Sequence, residues 1–195
     1  MANIIDSNKA LRDVYDQPKG ISIDKQLDSL DTHCRTFIAN SPFLVLGTVG
    51  DVSPKGDYPG FVKVIDEETL VIPDRRGNNR LDSLQNIIED DRLALIFFIP
   101  GVNETLRVNG IGEISVDPDL LKTMGLNSQT PKSALIVHVE EAYIHCAKAI
   151  LRSKLWDPLS QNASENLASG ASIIASHAGE DLTKYATYYE ETMDE

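Results

Sequence analysis

Only two of the 195 residues are cysteine, Cys34 and Cys146, far apart in the chain and outside any metal-ligand spacing. That argues against a disulfide framework and against a cysteine-based zinc site. Tryptophan occurs once, and no apolar run approaches the roughly 20 residues that a membrane-crossing helix needs. Met1 to Arg12 lacks a basic start followed by an apolar stretch, so no secretory signal is read and the cytoplasm is the expected location. Positive charge is also short: 18 Lys and Arg against 30 Asp and Glu leave a net charge of −12. A nucleic-acid partner needs a basic surface to neutralise phosphate, and none is expected here.

The charge deficit is uneven. From Leu155 to Glu195 eight acids stand against one base, Lys184, so this stretch alone carries −7 of the −12. The body is only mildly acidic, and within it Arg75, Arg76 and Arg80 lie together, as do Lys148, Arg152 and Lys154. Those two clusters are where an anionic ligand would sit. The length suits one domain with a real core. We read residues 1–158 as that domain and 159–195 as an acidic, partly helical C-terminal extension.

Along the chain, Ile23, Leu27, Leu30, Cys34, Phe37 and Ile38 recur at helical spacing, which predicts an N-terminal helix with Asp24 as its cap. Phe43 to Val49 reads as a buried strand. Asp51 to Gly60, rich in Pro, Gly and Asp, reads as a loop. Phe61 to Ile65 and Thr69 to Pro73 form a hairpin around Asp66, Glu67 and Glu68. Arg80 to Glu89 is an amphipathic helix with Asn78 or Asn79 at its cap. Arg92 to Ile99 is an apolar strand. In Glu104 to Val116, Leu106, Val108, Ile114 and Val116 alternate with Arg107, Asn109, Glu113 and Ser115, so that strand has one core face and one polar face. Pro118 to Met124 is a short helix, and Ala134 to Ala147 is a long last strand. These elements define a mainly β protein with flanking helices: six antiparallel strands, closed or nearly closed into a barrel.

The most informative stretch runs from Ile72 through Pro73, Asp74, Arg75, Arg76, Gly77, Asn78, Asn79 and Arg80 to Leu81 and Asp82. A strand passes through a basic, glycine-containing turn into a helix. Helix N-terminal amides, the macrodipole and bidentate arginine together favour phosphate. The other reading is a solvated turn whose arginines point outward.

The order of a Ser-Pro-Lys-Gly stretch, a Gly-Phe-Val-Lys-Val strand, the Pro-Asp-Arg-Arg-Gly-Asn-Asn-Arg-Leu turn and a Glu-Thr-Leu-Arg-Val-Asn-Gly strand resembles the pyridoxamine 5′-phosphate oxidase-like flavin mononucleotide (FMN)-binding proteins. His145-Cys146-Ala147-Lys148-Ala149, followed by Arg152-Ser153-Lys154-Leu155-Trp156, resembles a bacterial subgroup of FMN-dependent enzymes within them. The resemblance covers about Phe37 to Pro158. It implies a six-stranded split β-barrel that works as a homodimer, with FMN in grooves shared by both subunits. Carried over by position, Lys63 and Arg80 are phosphate ligands, Ser53 and Lys55 lie nearby, and Asp74, Arg75, Asn78 and Asn79 line the same end. The backbone of Val62, Val64 and Pro73 runs along the isoalloxazine. Strand alternation puts Lys148 on the groove side of the last strand, and Lys148, Arg152 and Trp156 border the flavin ring from the partner subunit. Packing at the interface is the other role open to Trp156. Arg107 reaches flavin or substrate, or else pairs with Glu104 or Glu113.

The implied activity is an FMN-dependent oxidoreductase acting on a small molecule. The alternatives are a non-catalytic FMN carrier or redox sensor and, further off, a haem-binding split barrel. The resemblance departs at two points. Phe61 and Val62 stand where pyridoxamine-phosphate oxidases carry an arginine, and the C-terminus is acidic where theirs is basic and aromatic. Both departures disfavour a phosphorylated vitamer as substrate.

Overall fold

The structure, a computed structural model, describes residues 4–127, 129–160 and 167–192. The chain forms two compact units, Met1–Leu151 and Arg152–Glu195. The division falls earlier than the end of the expected 1–158 domain, within the helix that follows the last strand.

The first unit holds three N-terminal helices, α1 (Asn8–Val14), α2 (Ile21–Asp24) and α3 (Thr32–Asn40), then strands β1 (Phe43–Thr48), β2 (Asp51–Gly56), β3 (Lys63–Val64) and β4 (Thr69–Pro73). Helix α4 (Asp82–Glu89), β5 (Arg92–Phe98), β6 (Thr105–Ser115), α5 (Pro118–Thr123) and β7 (Ala134–His145) follow, and α6 (Lys148–Ser153) crosses into the second unit. All strand pairings are antiparallel, in one sheet ordered β2-β1-β5-β6-β7-β4-β3.

Seven strands replace the expected six, and the addition is β2, which the sequence marks as a loop. Pro54 and Gly56 are tolerated there because β2 is an edge strand, where a missing N–H breaks no ladder on the open side. A two-residue connection, Val49-Gly50, with Gly50 at φ +84°, folds it back on β1.

The expected single N-terminal helix is broken as well. The Asp31 carboxylate, not Asp24, caps α3 by accepting from the Cys34 N–H at 2.7 Å. Upstream, Leu27 exchanges both backbone hydrogen bonds with Ala142 of β7, and Leu30 donates to the Glu67 carbonyl. Beyond the reach of β4, the edge of β7 thus takes its partners from the N-terminal segment. The last strand also stops short, at His145 and not Ala147, so Lys148 opens a helix and strand alternation does not set its direction.

One sheet face carries the core: Leu44, Leu46, Leu70, Ile72, Leu95, Phe97, Leu106, Val108 and Val137, closed by Leu30, Cys34 and Ile38 from the α3 side. A smaller cluster on the opposite face packs Val71 and Ala134 against Leu121 and Met124. Backbones approach most closely at a register shift between β6 and β7, where a Cβ on Gly110 would lie 2.0 Å from the His138 carbonyl oxygen. Only glycine fits there.

The second unit, described by itself, contains α7 (Gly170–Ala178) and α8 (Leu182–Thr192), packed on each other. Ser169 caps α7, and Gly179 at φ +65° ends it. Part of the expected extension, residues 161–166 and 193–195, lies outside the described residues.

Candidate functional site

The basic turn after β4 is built by charge pairing across the ends of strands that are distant in sheet order. Asp51, Ser53 and Lys55 alternate along β2 and, by register with Thr48, Leu46 and Leu44, lie on the core-facing side. Lys55 Nζ stands 3.9 Å from Asp74 Oδ1 just past β4. Arg75 Nε donates to Asp57 Oδ2 at 2.6 Å, and its Nη1 donates to the Met124 carbonyl at 2.7 Å. The Asp57 side chain is only 9% exposed. Strand β2 and the end of β4 sit at opposite sides of the sheet order, so these contacts show that the sheet curls to bring its ends together.

Arg75 therefore acts as a strut, tying the segment after β2, the turn after β4 and the end of α5. Beyond it the turn is open. Asn78 accepts the Arg80 N–H at 2.9 Å, Asn79 takes the left-handed conformation at φ +58°, and both side chains are exposed. Neither asparagine caps α4, contrary to expectation. That helix starts at Asp82 after Leu81, and no side chain caps it. Arg80 is exposed and paired through Nε with Asp82 at 2.8 Å, which leaves its terminal nitrogens to other acceptors. Arg76 is exposed also.

Lys63 pairs with Val71 in β3, so it rises on the face opposite Lys55, alongside Val71 and Pro73. It is exposed, whereas Val62 is buried in the core and Val64 half-buried against it. Val62 is buried as a whole residue, at 3% exposure. Since β3 is the other edge strand, one row of its backbone groups is unladdered. Pro73 is buried at the end of β4. The structure thus joins Lys55, Asp74, Arg75 and the turn through Arg80 in one region and brings Lys63 to its other side.

As a donor set this region suits a phosphate. Asp57, Asp74 and Asp82 each pair with one cation, and the terminal nitrogens of Arg80 stand beside an uncapped helix start.

Arg107 lies elsewhere, on the outer face of β6. It pairs with neither Glu104 nor Glu113 but stands 5.3 Å from the ring centroid of Tyr143, its register partner in β7. Lys148 is exposed at the start of α6. Arg152 and Trp156 fall in the second unit, where Trp156 is half-buried. Sequence reading missed Asp57 and the Met124 carbonyl, because a charge pair formed between residues 18 apart, across strand ends, leaves no periodic trace. Of the two thiols, Cys34 is buried and its pKa is pushed up to about 11 by that burial and by Asp31; Cys146 is exposed.

An antiparallel β protein with a basic strand-to-helix turn is the class that fold and site define. Within it the chain is a member of the pyridoxamine 5′-phosphate oxidase family, whose sequence pattern matches residues 30–146. Among curated proteins no sequence matches the chain. Similar solved structures include a putative pyridoxamine 5′-phosphate oxidase from Lactobacillus delbrueckii, 21% identical, with a TM-score of 0.48 over 61% of this chain and 98% of that one. HupZ of Group A Streptococcus is 17% identical, with a TM-score of 0.46 over 58% of this chain and 92% of its own. An FMN-binding protein from Syntrophomonas wolfei is 19% identical, with a TM-score of 0.43 over 57% and 83%. No helix among the described residues is long and apolar enough to cross a membrane.

Proposed function

We propose that the chain binds FMN, with the flavin's phosphate held by the turn Asp74–Arg80, and works as a cytoplasmic oxidoreductase on a small molecule. The observation that carries this reading is the turn itself. A strut of Arg75 with Asp57 and Met124 holds a segment in which exposed Arg80 adjoins an uncapped helix start, with Lys63 on the neighbouring strand. Family membership supplies the reason to expect a flavin phosphate instead of another anion.

In this reading Lys63 and Arg80 bind the phosphate, and Ser53, Lys55, Asp74, Asn78 and Asn79 shape the same end. The backbone of Val62, just before β3, of Val64 within it and of Pro73 in β4 meets the ring. The bound flavin supplies hydride or electron exchange with the substrate. The curled sheet is a split barrel whose outer face, carrying exposed Phe43 and Val52, meets a second copy in a homodimer.

The test is a spectrum of the protein as purified, together with quenching of added FMN fluorescence. A flavin absorption spectrum that survives gel filtration supports the reading. Colourless protein that leaves FMN fluorescence unchanged overturns it.

A further inference from the structure

Residues 4–24 carry apolar surface that their own chain does not cover. From Ile4 to Asp24 every residue is exposed except half-buried Ala10, and neither α1 nor α2 buries a side chain. Among the described residues their hydrogen bonds stay within residues 7–26. The Ser7 hydroxyl caps α1 by accepting from the Ala10 N–H at 3.3 Å, and Arg12 Nη1 donates to the Asp16 carbonyl at 3.1 Å. Helices of seven and four residues do not persist in water by themselves, since isolated helices shorter than about 12–15 residues are marginal. A segment folded in this way needs a surface to lie on.

Its apolar content suits that need. Ile4, Ile5, Leu11, Val14, Tyr15 and Ile21 are exposed by between 40% (Leu11) and 82% (Ile4), and Leu11, Val14 and Tyr15 form one stripe at helical spacing. At about 150–250 Å² for a residue of this size, the six leave about 600–900 Å² to be covered. One side of a stable interface takes about 800 Å², so two such segments exchanged about a twofold axis supply a complete one.

Charge argues against a lipid or nucleic-acid surface as the occupant, because Lys9, Arg12 and Lys19 are outnumbered by Asp6, Asp13, Asp16 and Asp24. The point of departure favours a second copy. The segment joins the sheet where Leu27 exchanges backbone hydrogen bonds with Ala142 and Lys25 Nζ donates to the Ile144 carbonyl at 2.8 Å, 5.2 Å from the Tyr143 ring centroid. Tyr143 ends a row that crosses the outer face through Arg107 and Ile96 to Val45. Phe43 and Phe98 pair beside that row with ring centroids 6.0 Å apart, and Val52 lies on the adjoining β2. The segment thus leaves the sheet at the border of an apolar band whose members are exposed or half-exposed.

We propose that residues 4–24 are an exchange arm: in the homodimer the arm of each copy lies on the outer β1–β2–β5 face of the other, its apolar stripe against the band that holds Phe43 and Val52. The proposal rests on the homodimer reading, which joins sheet faces, and adds a segment that embraces the partner.

The test uses the full chain and a variant carrying Leu11→Asp and Val14→Asp. Neither site is buried in its own chain, so the fold is kept and the circular dichroism spectrum should not change. Sedimentation equilibrium reads the dimer, and hydrogen exchange read by mass spectrometry reads the arm. The expected result is a dimer in which the amides of Leu11 and Tyr15 exchange at least about tenfold more slowly than in a free peptide of residues 4–24, with a dissociation constant raised about tenfold or more in the variant. Exchange in the dimer as fast as in the peptide overturns the proposal. So does an unchanged dissociation constant beside slow exchange, which lays the arm on its own chain. In both cases a dimer formed by sheet faces alone still stands. A chain that is monomeric at every concentration removes the homodimer reading and the arm together.

Discussion

Two cationic regions of the same sheet are built on opposite plans. At the turn after β4 the acids Asp57, Asp74 and Asp82 each pair with a cation, and Arg75 is held from two sides at 2.6 and 2.7 Å. On the outer face of β6 and β7, Arg107 and Lys25 stand against a tyrosine ring with no carboxylate between them. The first region sets its acids against its cations, most tightly at Arg75 and Asp57. The second keeps its charge unneutralised and half-buried. Cation counts alone would rank the turn far above the face, whereas pairing separates an arginine held by a carboxylate from one set against a ring.

Removing the shared core should erase the difference altogether. Phe97 is fully buried in the core, and Phe97→Ala is expected to lower stability by about 3–5 kcal/mol in urea titration, with FMN binding lost. Survival of FMN binding in that variant would mean that it does not depend on the curled sheet.

The next effect should be confined to the turn. Arg75→Ala leaves the nearly buried Asp57 carboxylate without its partner, at a cost of about 1.5–3 kcal/mol, and loosens the segment that carries Arg80. Chemical denaturation should register the loss. A stability within 0.5 kcal/mol or so of the original would show that the strut is a surface pair of little consequence.

A smaller effect separates the thiols. Cys146 follows His145 at the end of β7, while Cys34 lies in the core with its pKa raised to about 11. At pH 8 iodoacetamide should modify Cys146 alone, as mass spectrometry of the intact chain can show. The sign follows from burial. The neutral thiol is favoured in the folded state, so its contribution is complete below the ordinary thiol pKa of about 8.5 and is lost as pH rises through about 11. Labelling of Cys34 at pH 8 would place α3 off the core.

Sequence alone shows most of the sheet and less of the sites. The strands with unbroken apolar runs or strict alternation, β1, β5 and β6, stand out because burial of one or both faces dictates their composition. Strand β2 does not, since an edge position relaxes the rule against proline and glycine on which loop assignment depends. The break before α3 hides behind helical spacing that continues through Leu27 and Leu30, because their backbones find partners in β7 and the β3–β4 hairpin. At the turn, residue types alone suggest an anion site, but they give no sign that Arg75 is consumed by Asp57. The pairing of Arg107 with Tyr143 depends on register across two long strands, shifted by the irregularity at Asn109 and Gly110. No local pattern encodes that shift beyond the glycine itself.

The central claim is that the turn from Asp74 to Arg80 holds the phosphate of a flavin, and comparison of FMN with riboflavin tests it most directly. Fluorescence-quenching titrations of the original protein and Arg80→Ala would be run with both ligands. The account predicts tighter binding of FMN than of riboflavin by the original protein. It also predicts a loss of about 10- to 100-fold for FMN in the variant, with riboflavin nearly unchanged. Equal affinity for the two ligands in the original protein, or equal losses in the variant, would contradict it.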